Sequence, residues 1–230
     1  MRRTQANPPE DVLVRWIEAS LATGSHRLAH GYQGAVYLYP GPPRLVIKVA
    51  TGKGVMRLLR RRMLRREHAV YQKLSGFRGS PRCYGLLAGR YLVLEHIEST
   101  PLRRAVLTNR VAFFAALFEH INTLHARGVA HFDLKKKDNL LVTADGLPCL
   151  IDFGAAIIRK PGLAPLNRWF YRLAERFDFN AWVKLKYDGK YANVSAADRV
   201  YFRRSFVEKA ARVLKRSYQR LNPVRWVKRR

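Results

Sequence analysis

The stretch His131-Phe132-Asp133-Leu134-Lys135-Lys136-Lys137-Asp138-Asn139, followed by Leu150-Ile151-Asp152-Phe153-Gly154, constrains this chain more than any other. It sets three oxygen-bearing side chains, Asp133, Asn139 and Asp152, in a fixed order within about twenty residues. Between them the apolar pieces Leu140-Leu141-Val142 and Pro148-Cys149-Leu150-Ile151 flank an Asp145-Gly146 turn, which predicts two short strands.

The rest of the chain sets bounds. At 230 residues it has room for one large domain or two small lobes, and its 48% apolar content argues against disorder. Cys83 and Cys149 form neither a disulfide framework nor a metal-ligand spacing; apolar neighbours mark both as small core residues, as in a reducing cytosol. The longest near-apolar run, Val111 to Phe118, is too short to span a bilayer, and Met1-Arg2-Arg3-Thr4-Gln5 lacks an apolar signal core. These features predict a protein made and kept in the cytosol. The anomaly is charge: 44 Lys and Arg against 16 acids give +28. Self-repulsion on that scale opposes compaction unless a polyanion is near. Nucleic acid, an anionic membrane face and an anionic substrate are the candidates, with an Arg-favouring genome as the bland alternative.

Residues 9–22, opened by Pro9, Glu10 and Asp11, read as a short amphipathic helix. Two strand-like stretches, Ala35 to Tyr39 and Leu45 to Val49, are separated by a Pro40-Gly41-Pro42-Pro43 turn. A long helix is predicted from about Gly54 to Leu74. On it Met63, Leu64, Val70, Tyr71 and Leu74 place Glu67 inside the apolar stripe. A carboxylate there is costly unless paired, and Lys48 is the natural partner. Tyr91 to Glu95 reads as another strand. A helix over about 108–127 stops at Arg127-Gly128, just before the His131 to Asn139 stretch.

In this order the fragments resemble the protein-kinase-like superfamily across roughly residues 24–160. Gly31-Tyr32-Gln33-Gly34-Ala35-Val36 looks like an abbreviated glycine-rich loop, and Val46-Ile47-Lys48-Val49 like the nucleotide-binding lysine strand. Glu67 resembles that lysine's helix-borne partner. Glu95 and Ile97 fall where the hinge offers backbone groups to adenine, after Leu94 in the gatekeeper place. The resemblance implies an α+β, bilobal fold. Residues 1–97 would carry an N-terminal helix and an antiparallel-sheet nucleotide lobe, and residues 98–230 a reduced, mainly helical catalytic lobe. It implies ATP and Mg2+ as cofactors, Asn139 and Asp152 as metal ligands, and Asp133 as the group that orients the acceptor hydroxyl. Lys135 would stabilise the transferring phosphoryl group, and His131 would support the loop rather than act as a base.

Departures from the family pattern are informative. Asn usually follows the catalytic Asp by five residues; here it follows by six, with Lys136 and Lys137 crowding the loop. A local bulge would keep Asn139 aimed at the metal; failing that, Asp138 is the fallback ligand. Phe132 replaces the Arg that couples the loop to a phosphorylated activation segment, so no such switch is expected. No Ala-Pro-Glu follows, and 76 residues remain after Gly154, too few for a full eukaryotic-type substrate lobe. The reduced form resembles the small bacterial branch that includes kinases of lipopolysaccharide core sugars (heptose and Kdo) and RIO-like atypical kinases.

Beyond Gly154, Leu166 to Tyr187 interleaves bulky apolar groups with cations. Ser195 and Asp198 read as the start of a long basic helix running to Leu221 before Pro223. That helix fits an anionic bilayer headgroup region, its own lobe, or less readily nucleic acid. The expected function is phosphorylation of a hydroxyl. The favoured acceptor is a sugar of an anionic, lipopolysaccharide-type glycolipid, met by a cytoplasmic protein peripheral on the cytosolic face of the inner membrane. A protein serine or threonine is the alternative, and a non-enzymatic membrane- or RNA-binding scaffold is the third reading.

Overall fold

The structure, a computed structural model, describes residues 8–31 and 34–202. The first helix, α1 (Glu10–Thr23), carries Glu10 and Asp11 in its first turn, where the helix dipole favours acids, and ends at Gly24 in the left-handed region. Next come β1 (Arg27–Gly31), β2 (Gly34–Tyr39), β3 (Leu45–Val49), α2 (Gly54–Lys73), β4 (Cys83–Leu87) and β5 (Tyr91–Glu95). The strands form one antiparallel sheet in the order β1-β2-β3-β5-β4. Side chains alternate faces along a strand. Leu45, Ile47 and Val49 therefore join Tyr91 and Val93 under Leu13 and Ile17 of α1. Leu92 and Leu94 turn the other way and pack with Leu64, Val70 and Tyr71 of α2. Lys48, alternating with its apolar neighbours, lies on the α2 face.

The second part holds β6 (Ser99–Pro101), α3 (Arg110–Ala126), β7 (Val129–Ala130), β8 (Leu140–Thr143), β9 (Pro148–Leu150), β10 (Ile157–Ile158), α4 (Pro165–Lys186) and α5 (Ala196–Arg199). Strands β6, β8 and β9 form a small antiparallel sheet, and β10 pairs with β7. Asn109 caps α3 by accepting the Ala112 N–H at 2.9 Å. Helix α4 is tied to α3 where the Trp182 indole donates to the Phe114 carbonyl at 2.8 Å. One apolar core runs without a break from α2 and β5 into α3, β8, β9 and α4. The whole is an α+β architecture compatible with a bilobal kinase-like fold.

Helices α1, α2 and α3 fall within a few residues of where the apolar periodicity puts them. Strands β1, β4 and β6 carry no such signal. Polar Arg27 and His30 interrupt β1, Gly85 and a register shift break β4, and β6 is three residues ending in Pro. The Ser195 cap is present, its hydroxyl accepting the Asp198 N–H at 3.2 Å. The helix it starts, α5, ends at Arg199 and residues 200–202 are not helical, so the long basic helix expected from this cap does not run on through them; residues 203–221 lie outside the described residues.

Gly34 has a steric reason to be glycine. Its φ is +138°, and a Cβ there would sit 2.0 Å from the Val49 carbonyl oxygen of β3. Gly34→Ala should therefore destabilise the fold by about 2 kcal/mol or more, from backbone strain plus displaced strand pairing. Urea denaturation of the variant checks this; a change below about 0.5 kcal/mol would contradict it.

Candidate active site

Lys48 is where distant parts of the chain meet. Its ammonium donates to Glu67 Oε1 at 2.7 Å and to Asp152 Oδ1 at 2.9 Å. Glu67 is fully buried, as its place in the α2 stripe predicts. Burial pushes the Glu67 carboxyl above its usual value, with Lys48 pulling against it. Burial alone would depress Lys48, but the charges of Glu67 and Asp152 outweigh that and hold it above the ordinary lysine value. For Asp152, burial is likewise overcome by Lys48, and the carboxyl sits below its usual range. A cation between two carboxylates is thus fixed in its charged form.

Asp152 adopts a left-handed backbone, φ 64° and ψ 67°, a conformation a non-glycine residue holds only when its surroundings impose it. The constraint comes from Phe153. Its ring is fully buried and meets Tyr71 of α2 edge-on at 5.2 Å and His131 at 4.8 Å. With Phe153 anchored, Asp152 faces Lys48.

The loop from His131 to Asn139 is tied down from both sides. His131 is fully buried and its Nε2 donates to the Ile151 carbonyl at 3.0 Å. The same ring's Nδ1 then accepts the Asp133 N–H at 3.4 Å. Both ring nitrogens are committed to backbone groups, so His131 braces the loop. Asn139 donates from Nδ2 to the Asp133 carbonyl at 3.0 Å and to Asp133 Oδ2 at 3.3 Å. The additional loop residue is absorbed by a 3₁₀ turn over Lys137–Asn139, closed by Asn139 N–H to the Lys136 carbonyl at 3.0 Å. This turn buries Asn139 and turns Asp138 outward, where Arg103 engages its carboxylate. Asp138 is therefore not aimed at the site. The Ile151 N–H donates to the Asn139 carbonyl at 3.0 Å, which sets Asn139 beside the segment carrying Asp152.

The three lysines of the loop take different surroundings. Lys136 Nζ, not Lys135, sits 2.5 Å from Asp133 Oδ2. Lys135 is exposed and has no ion pair among the described residues. The hydrogen bond to Asp133 raises Lys136 above the usual lysine value. Lys136→Ala should lower any Asp133-dependent turnover by about tenfold or more, the order of one charge-assisted hydrogen bond, whereas Lys135→Ala should change it less than twofold. Steady-state rates of the two variants check the difference; equal effects would contradict it.

The remaining candidates are placed as follows. Gly31 and Gly34 face each other at the turn end of the β1–β2 hairpin, and Gly34 lies beside Val49, the neighbour of Lys48. Glu95 ends β5, its N–H donating to the Arg82 carbonyl at 2.8 Å and its carboxylate accepting the Arg82 N–H at 3.0 Å, so its side chain serves the sheet. Ile97 follows; its carbonyl accepts from Ser99 Oγ at 2.9 Å, and among the described residues its N–H has no acceptor.

Asp178 was not among the residues the sequence nominated. It is fully buried on α4 and accepts the His131 N–H at 2.7 Å, the Phe132 N–H at 2.7 Å and His125 Nε2 at 3.0 Å. These bonds hold Phe132 at φ +69°, just before Asp133. The signal was available: Tyr171, Ala174, Ala181, Trp182 and Leu185 surround Asp178 at helical spacing, as apolar residues surround Glu67. Phe132, in place of the expected Arg, packs its ring on Phe177 at 5.2 Å.

The donor set suits magnesium. Asn139 Oδ1 and the Asp152 oxygen not held by Lys48 are hard oxygens, and Mg2+ takes one or two protein ligands plus phosphate oxygens and water. No cluster of three His, Cys, Asp or Glu suited to a metal occurs among the described residues, so an all-protein cage is not what this site offers.

No profile of a known protein family matches the chain. A stretch of 46 residues is 50% identical to a protein of Saccharomyces cerevisiae named "Probable serine/threonine-protein kinase RTK1", covering 20% of this chain and 7% of that protein. A stretch of 68 residues is 35% identical to "Serine/threonine-protein kinase D" of Synechocystis sp., covering 28% of this chain and 14% of the relative. The chain thus spans a small fraction of the length of the curated relatives it matches. These two short similarities suggest a protein-kinase-like relationship, and the α+β fold is compatible with it.

Proposed function

We propose that this chain is an ATP- and magnesium-dependent phosphotransferase acting on a hydroxyl group. The observation that supports it most is Lys48 held between Glu67 and Asp152, 19 and 104 residues away. In this reading residues 1–97 bind the nucleotide and residues 98–230 supply the catalytic loop. Backbone groups near Gly31, Gly34, Glu95 and Ile97 line the nucleotide site. Lys48 binds phosphate oxygens, and Asn139 and Asp152 hold the metal. Magnesium, when bound, neutralises charge on the phosphates. Asp133 accepts the proton of the acceptor hydroxyl as its oxygen bonds to the γ-phosphorus and the bond to the β-phosphate oxygen breaks, releasing ADP. Lys136 supplies positive charge beside Asp133.

The acceptor we favour is a sugar hydroxyl of an anionic, lipopolysaccharide-type glycolipid, met by a protein peripheral on a cytosolic membrane face. The +28 charge supports an anionic acceptor. So does the short connection from Gly154 to Pro165, which leaves no room for a long activation segment. The relatives' names favour a second reading, a protein serine or threonine as acceptor. No helix among the described residues is long and apolar enough to cross a membrane. Incubation with γ-labelled ATP and separated envelope, ribosomal and soluble fractions tests the proposal. Label in a glycolipid supports the favoured acceptor, and label in protein supports the second. Failure to hydrolyse or transfer in any pool would leave a non-catalytic scaffold.

A further inference from the structure

Residues 159–172 run from just after β10 into the first two turns of α4 and hold Arg159, Lys160, Arg168 and Arg172 with no acid. Apolar groups project among these cations: Leu163 is 98% exposed, Leu166 75%, Trp169 56% and Phe170 51%. This is not a slack loop. Asn167 Oδ1 accepts the Lys160 N–H at 2.7 Å, and Asn167 Nδ2 donates to the Ile158 carbonyl at 3.0 Å. Arg168 adds a bond to the Gly162 carbonyl at 2.7 Å. Trp169 and Phe170 meet edge-on at 4.8 Å. The chain uses its polar groups to hold an apolar projection out in solvent.

From this surface we infer that the Leu163–Phe170 projection is a docking site for an anionic phospholipid bilayer. Charge complementarity selects the occupant. A second copy of a chain at +28 is repelled, and so is the segment 203–230, which carries eleven Lys and Arg and one acid. The occupant must be anionic and must accept aliphatic groups. Nucleic acid offers phosphates and stacking faces but nothing to bury Leu163 and Leu166, the two most exposed members of the patch. A bilayer takes all of it: leucines below the headgroups, Trp and Phe at the interface, and arginines on the phosphates. The site also has a consequence for catalysis. The projection leaves β10, which pairs with β7 immediately before His131, and continues into α4, whose Phe177 packs on Phe132. A bilayer held there lies close to Asp133. The inference rests on the membrane-side reading of the function and names the surface responsible.

The test uses the full chain. Leu163→Ser with Leu166→Ser should weaken co-sedimentation with phosphatidylglycerol vesicles by at least about tenfold, the order of two leucine side chains withdrawn from hydrocarbon. Both side chains are exposed, so the variant should keep the wild-type circular dichroism. In a Cys83→Ser background, an environment-sensitive dye on Leu163→Cys should shift to the blue with phosphatidylglycerol vesicles. It should stay unchanged with phosphatidylcholine vesicles or single-stranded RNA, and the same dye on Ala144→Cys should stay silent throughout. Wild-type protein that ignores anionic vesicles would overturn the membrane reading and this site with it. Wild-type binding that survives the double substitution, with a silent dye at 163, would overturn this site alone. A dye at 163 that answers RNA and not lipid would reassign the surface to nucleic acid.

Discussion

Asp178→Ala should cost about 3–5 kcal/mol of folding stability, the sum expected when a fully buried carboxylate that accepts three hydrogen bonds is removed. Three donors lose their acceptor at once: the His131 and Phe132 N–H groups and His125 Nε2. Each buried orphan costs about 1–3 kcal/mol. The loss is a large share of the 5–15 kcal/mol typical of a domain. Phe132 is also released from φ +69°, so the loop ahead of Asp133 relaxes and turnover falls with stability. Asp178→Asn should be milder, because its amide keeps one acceptor but turns a donor toward the other N–H groups. Urea denaturation followed by tryptophan fluorescence measures both. An Asp178→Ala variant within about 1 kcal/mol of wild type would show that the loop does not depend on this carboxylate.

Asp133→Asn should have the opposite profile. Turnover should fall by about 10²–10⁴-fold, the usual contribution of a positioned general base. Stability should stay within about 0.5 kcal/mol, because the Lys136 partner is mostly exposed and such pairs contribute little. Two aspartates share one loop: Asp178 holds its backbone, and Asp133 is the residue proposed to orient the acceptor hydroxyl. A variant that keeps full activity would remove Asp133 from the mechanism.

Sequence and structure agree best where a rule depends on periodicity. Glu67 in an apolar stripe demanded a cation, and Lys48 alternates onto the same face of the sheet. The identical rule applied to α4 would have found Asp178. Dense alternation of aromatic and basic residues along α4 masks that stripe in the sequence, although its spacing is there. Agreement is poorest where one residue of register decides. The loop's additional residue could be absorbed in several ways; a 3₁₀ turn at Lys137–Asn139 keeps Asn139 inward, and Lys136 pairs with Asp133. Spacing alone cannot distinguish these, since the choice depends on hydrogen bonds to the distant Ile151 and on Arg103 drawing Asp138 outward. Gly34 differs again: the resemblance reads it as part of a glycine-rich loop, and the sheet by itself already requires a glycine there, with Val49 too close for any side chain.

The central claim is that Lys48, Glu67, Asp133, Asn139 and Asp152 serve one metal-bound triphosphate. Calorimetric titration of ATP into wild-type protein and Asp152→Ala, each with and without magnesium, tests it most directly. Saturable binding that requires the metal, and weakens at least about tenfold in the variant, is the predicted result. Affinity indifferent to both magnesium and Asp152, or no binding of ATP under any of these conditions, would contradict it.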